Sequence, residues 1–83
     1  MNKILIRVYV PSLAKEFEIF ICESQKMHEA LPLISKAIEK ISDEEYRSSG
    51  KEVLCTKKEG NIIDINFSAC ELGIHNGALL ILI

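Results

Sequence analysis

Ser68-Ala69-Cys70-Glu71-Leu72-Gly73-Ile74-His75-Asn76-Gly77-Ala78-Leu79-Leu80-Ile81-Leu82-Ile83 is the stretch on which the fold turns. Ser68 followed three residues later by Glu71 has the form of a capping box, in which a hydroxyl and a carboxylate satisfy the first free amides of a helical turn. Gly73 ends that turn, because a residue without Cβ enters the left-handed region at little cost. Asn76-Gly77 is tight-turn chemistry. The apolar run from Ala78 to Ile83 has the length of a strand and reads as the last one.

Upstream of this stretch the pattern stays short-range. Ile62-Ile63-Asp64-Ile65 reads as a short fourth strand, entered through turn chemistry at Lys58-Glu59-Gly60-Asn61. Glu52 to Lys57 reads as a third strand, with Ser48-Ser49-Gly50 as the connection before it. Ser42-x-x-Glu45 has the same capping-box form as Ser68-x-x-Glu71 and predicts a short acidic turn reaching Arg47.

Further back the period changes. Met27, Leu31, Ile34, Ile38 and Ile41 recur at spacings of four and three, with Ala30 and Ala37 beside them and Lys36, Glu39 and Lys40 on the polar side. That is one apolar face of a helix. Pro32 is welcome at a first helical position and costly further in. The helix is therefore expected from Pro32 to about Ser42; the alternative is a start at Ser24-Gln25 with a kink at Pro32. At the N-terminus, Ile4, Ile6, Val8 and Val10 alternate with Lys3, Leu5, Arg7 and Tyr9. After a turn at Pro11 to Ala14, Phe17, Ile19 and Ile21 alternate with Glu16, Glu18 and Phe20. Period two with β-branched residues predicts two strands joined as a hairpin.

Strand, strand, helix, strand, short strand, helical turn and strand make a two-layer α+β domain, and no linker divides residues 1–83. Twelve acidic against ten basic residues leave a net charge of −2 with no basic stripe. That argues against nucleic acid as the partner. No run approaches the ~20 apolar residues of a membrane span, and Arg7 and Pro11 break any leader-like segment, so a cytoplasmic protein with no membrane insertion is expected. Cys22, Cys55 and Cys70 are odd in number and widely spaced. They read as reduced thiols and not as a disulfide or metal framework. His28 and His75 lack a nucleophile at any recognisable spacing, and Asp43-Glu44-Glu45 lacks a calcium-loop frame. No catalytic residue, metal ligand or cofactor site is expected.

The chain resembles ubiquitin-like β-grasp proteins. The resemblance is carried by Gly60-Asn61-Ile62-Ile63, the capped turn at Ser68 to Glu71, Leu72-Gly73-Ile74-x-Asn76-Gly77 and the terminal strand. Leu31-Pro32-Leu33 and Leu54-Cys55-Thr56-Lys57 make it most similar to the YukD-like family of Gram-positive type VII (WXG100) secretion loci. Glu23 to Ala30 is longer than that family's usual segment, and there is a small excess between Lys57 and Ser68. The resemblance implies a mixed sheet with one helix on one face and a protein-recognition role without chemistry. It also implies a protein partner, with components of a secretion machinery as candidates. Ubiquitin and related sulfur carriers act through a C-terminal Gly-Gly; here Gly73 and Gly77 precede the last strand and Ile83 closes the sequence. Conjugation is therefore not expected, and a modifier or sulfur carrier is the alternative reading.

By the same resemblance Leu80 and Leu82 point at the helix, leaving Leu79, Ile81 and Ile83 on the open face. Leu5, Tyr9, Phe20, Val53 and Cys55 share that face. With the first, last and third strands adjacent, these residues merge into one apolar patch. Arg7 and Glu18 interrupt it, with Arg7 and Lys57 as polar rim. Leu5, Arg7, Phe20, Cys55, Leu79, Ile81 and Ile83 are the expected protein-binding residues, for a separate partner or for a second copy in a homodimer.

Overall fold

The structure, a computed structural model, describes residues 2–57 and 60–83, so the turn expected at Lys58-Glu59 lies outside the described residues. Strands β1 (Lys3–Val10) and β2 (Lys15–Cys22) precede helix α1 (Met27–Ile41), followed by β3 (Leu54–Thr56) and β4 (Leu79–Leu82). The sheet order is β2-β1-β4-β3. The outer pairs are antiparallel and the central β1–β4 pair is parallel, the mixed sheet with one helix that the sequence implied.

Alternation decides the layers. Ile4, Ile6, Val8 and Val10 from β1, Ile19 and Ile21 from β2, and Leu80 and Leu82 from β4 are buried with Met27, Ala30, Ile34 and Ile38 of α1. Each such aliphatic side chain contributes roughly 1.5–3 kcal/mol on burial. Leu54, Ile63 and Ala69 close the core's far side.

The helix begins at Met27, five residues before the expected start, and Pro32 lies inside it. Lys26 at the N-cap offers no side-chain cap. Instead the Met27 amide donates to the Phe67 carbonyl and the His28 amide to the Ile65 carbonyl, both at 2.9 Å. Carbonyls from a distant loop thus satisfy the first amides that a helix leaves free, and the first turn forms without a local signal.

Of the two Ser-x-x-Glu sequences expected to be capping boxes, at Ser42 and Ser68, only the second is one. The Ser68 amide donates to Glu71 Oε1 at 2.9 Å, and the Glu71 amide donates to Ser68 Oγ at 3.2 Å. One turn follows, closed at Gly73 (φ 73°), without extending into a helix. Glu71 also accepts from Lys26 Nζ at 2.9 Å, tying this turn to the start of α1. The Ser68 amide and then the Lys26 ammonium hold its carboxyl at about 2, far below the usual range. Ser42, by contrast, is the C-cap of α1: its Oγ accepts the Tyr46 amide at 3.1 Å, and Asp43 and Glu44 take positive φ.

Residues 62–65 do not form the expected fourth strand. A single bridge joins Ile62 to Cys55, and Ile63 turns into the core. Between α1 and β3 the chain is organised by Glu52, whose carboxylate accepts from the Ser49 amide and hydroxyl, the Gly50 amide and the buried Ser35 hydroxyl. Partial burial works against its charge, but the Ser49 and Gly50 donors win and lower its pKa. Burial and then the Glu52 charge push the Tyr46 phenol up to about 12.

Candidate protein-interaction face

Helix α1 covers one face of the sheet, and the strand registers fix what the other presents. Paired residues in adjacent strands point to the same side, so each register row can be read across the sheet. Leu5 stands opposite Phe20. Arg7 lies between Glu18 and Leu79. Tyr9 lies between Glu16 and Ile81, and Ile81 is opposite Cys55. Val53 and Ile83 exchange both backbone hydrogen bonds (3.1 and 2.9 Å), which extends the pattern one pair past β4.

The entry into β4 is set by Asn76-Gly77. Asn76 Oδ1 accepts the Leu5 amide at 2.7 Å, and the Gly77 amide donates to the Leu5 carbonyl at 2.6 Å. The Arg7 amide then donates to the Ala78 carbonyl at 2.8 Å. Gly77 takes φ 87°, a value that favours glycine. This contact fixes the parity of β4, so that Leu79 and Ile81 face outward while Leu80 and Leu82 are buried.

The expected residues do not all sit alike. Phe20 and Ile83 are 67% and 70% exposed. Leu5, Tyr9, Val53, Leu79 and Ile81 are half-buried between neighbouring strands. Cys55 needs a correction: it is on the open face by register, but only 7% exposed, so it is floor and not a contact residue. The cause is the chain crossing beyond it, where Ile62 pairs with Cys55 on the outer edge of β3. Ile62, 71% exposed, is brought to the open face by that bridge and was missed when residues 62–65 were read as a separate strand.

Arg7 is not at the rim but in the middle row. Its Nε donates to the Gly77 carbonyl at 3.1 Å and its Nη1 lies 4.0 Å from Glu16 Oε2. It divides the apolar surface into Leu5 with Phe20 on one side, and Tyr9, Ile81, Ile83 and Ile62 on the other. Lys57 is exposed just after β3. An anchored charge flanked by exposed aliphatic and aromatic groups is chemically suited to recognising another protein surface.

The remaining chemistry-bearing side chains do not gather. Cys22 is half-buried, Cys55 buried and Cys70 exposed. The Cys22 thiol, 3.4 Å from Ser24 Oγ, is lowered in pKa chiefly by that hydrogen bond. His28 and His75 are exposed. Among the described residues no group of three His, Cys, Asp or Glu side chains could hold a metal ion, and no helix is long and apolar enough to cross a membrane.

No known family profile and no curated protein matches the chain in sequence. Solved structures do match it in shape. The ubiquitin-like domain of Plasmodium falciparum Dsk2 superposes with a TM-score of 0.74 at 16% identity, over 98% of this chain and 96% of that one. The ubiquitin-like domain of EccD5 from Mycobacterium xenopi gives 0.69 at 12% identity, over 100% and 94%. That of the Mycobacterium tuberculosis type VII secretion system protein EccD1 gives 0.68 at 12% identity, over 100% and 99%. The chain has a ubiquitin-like fold.

Proposed function

We propose that this ubiquitin-like domain is a protein-interaction module that works by non-covalent recognition through its open sheet face, as a cytoplasmic accessory of a type VII-like secretion system. The observation that carries the reading is the apolar face itself. Phe20, Ile62 and Ile83 are strongly exposed on the side of the sheet that α1 leaves bare, around a fixed Arg7. Apolar groups gathered on one face in this way mark interaction sites. The secretion assignment is supported by two EccD ubiquitin-like domains among the structural matches and by the sequence resemblance to YukD-like proteins.

Affinity purification of the chain from its native host, with mass spectrometry of what co-purifies, tests both parts. Secretion-machinery subunits should be recovered with the wild type and lost with Ile81→Asp and Ile83→Asp, while circular dichroism shows each variant folded. Recovery of the same proteins by the folded variants removes the face from the reading. Recovery of a set containing no secretion component removes the secretion assignment. The other use of the face is self-pairing. Light scattering separates the two, since a stable dimer dissolved by Ile83→Asp would assign the face to a second copy.

A further inference from the structure

We infer that the groove between α1 and the segment leading into β3 takes an arginine side chain of a partner protein, its guanidinium among carbonyl and carboxylate oxygens and its aliphatic stem against Leu31, Pro32 and Ile65. This site is separate from the open face of the sheet. The groove has a volume of about 540 Å³ and is lined by Leu31 and Pro32 of α1, by residues 48–50 with Glu52, and by Ile65. Ile65 is 42% exposed there, and Pro32 is exposed as well.

The backbone of the groove is short of donors. Every amide of residues 48–51 is engaged: Ser48 donates to Glu39 Oε2 at 3.4 Å, Ser49 to Glu52 Oε2, Gly50 to Glu52 Oε1 at 3.1 Å, and Lys51 to Ser49 Oγ at 3.2 Å. Each residue carries one backbone donor and one acceptor, so the main chain of this wall has carbonyl oxygen left to offer a ligand. The helix adds another acceptor. Pro32 has no N–H, and the carbonyl of His28, which also lines the groove, loses its helical donor. Departures of this kind from local preference are concentrated at functional sites.

Charge selects the occupant. The Glu52 carboxylate is held by neutral donors, the Ser35 and Ser49 hydroxyls and the Ser49 and Gly50 amides, which satisfy its lone pairs and leave its charge. No cation pairs with it among the described residues. Lys36, the lining ammonium, lies 3.4 Å from Glu39 Oε1 and is offset there. With Lys36 cancelled by Glu39 and His28 neutral, the charge of Glu52 is what remains. A groove of acceptors, one uncompensated anion and apolar sides is complementary to a cation with many donors and an apolar stem. Arginine supplies five N–H groups in a planar fork, on a stem that packs against apolar surface.

The test is a titration of the isotope-labelled full chain with the acetylated and amidated peptide GVRVG and with its counterpart GVEVG, followed by NMR that detects carbonyl carbons. With GVRVG the His28 carbonyl carbon and the amides of Ser49 and Gly50 should shift; GVEVG should leave them in place. Pro32→Ala returns an N–H to the His28 carbonyl. It should weaken GVRVG binding at least about tenfold, roughly 1.4 kcal/mol, and the His28 carbon should no longer move. That variant gains a helical hydrogen bond, so its loss of binding is not a loss of fold, and circular dichroism checks this. Ile83→Asp should bind GVRVG as the wild type does, so failure here and failure of the open-face reading are told apart. No shift at about 1 mM GVRVG, the weak limit of useful affinity, overturns the inference. So does equal binding of GVEVG, or undiminished binding by Pro32→Ala.

Discussion

Replacing Pro32 by alanine is expected to stabilise the protein, and the structure sets the size of the effect. Pro32 is the sixth residue of the fifteen in α1 and is exposed. Lacking an N–H, it leaves the His28 carbonyl without its helical donor, and its ring crowds that turn. In a helix interior the two effects cost about 3 kcal/mol. The Met27 and His28 amides are already held by the Phe67 and Ile65 carbonyls, so alanine needs to restore only the one missing bond. Against the gain, proline restricts the unfolded chain, worth about 0.4–1 kcal/mol. The difference is about 2 kcal/mol. For a domain of this size each kcal/mol moves Tm by roughly 4–8 °C, so Pro32→Ala should melt roughly 8–16 °C higher. Pro32→Gly restores the N–H but gives up about 1 kcal/mol to glycine's flexibility, and should fall between the two. Urea unfolding followed by circular dichroism measures all three, with an unchanged m-value showing that the denatured state is not the cause. A Pro32→Ala midpoint at or below that of the wild type refutes the reasoning. The ring's place beside residues 48–50, with which it lines a shared groove, would then outweigh the missing hydrogen bond.

Four further substitutions follow from particular positions in the fold. Leu80→Asp should unfold the protein, because an unpaired carboxylate at a 2% exposed core position costs several kcal/mol out of a total of roughly 4–12 for a chain of this length; Ile81→Asp, one residue on and facing outward, should still give a cooperative denaturant transition. Glu71 has a folded pKa of about 2 against an ordinary 4.5. Its contribution is therefore present above pH 4.5 and lost as pH falls toward 2, and Glu71→Gln should flatten that limb of the urea-midpoint profile. Gly77→Ala meets no neighbouring atom within 4 Å, so its cost is the backbone's alone: about 1–2 kcal/mol for φ 87°, read as a lower Tm with no change in the fold's spectrum.

What the sequence reveals here follows from how local each cause is. The alternation in β1 and β2 was legible because one face of each strand is buried by the same helix, and the stripe of Met27, Ala30, Ile34 and Ile38 because its apolar spacing is that face's partner; Ile41, expected on the same stripe, is exposed at the helix end. The start of α1 was not legible. Its first amides are satisfied by carbonyls of residues 65 and 67, some forty positions away, and no cap residue marks the place. The Ser-x-x-Glu sequences at Ser42 and Ser68 show the same limit. Identical spacing forms a box at Ser68, where a turn begins, and a C-cap at Ser42, where a helix has just ended. On the candidate face, the outward direction of Leu79, Ile81 and Ile83 was implied by alternation together with the family resemblance. The burial of Cys55 was hidden because it depends on Ile62 crossing the edge of β3.

That crossing bears on the open face. A single helix over a four-stranded sheet leaves one bare face and two bare edges. In this chain residues 60–63 cover the β3 edge and carry Ile62 to the open face, so the same segment removes one docking edge and enlarges the apolar surface beside it. The β2 edge receives no such cover, and the helix wall beside it carries Leu33 instead of a charged residue. The open face offers side chains only and selects by shape and by the fixed Arg7.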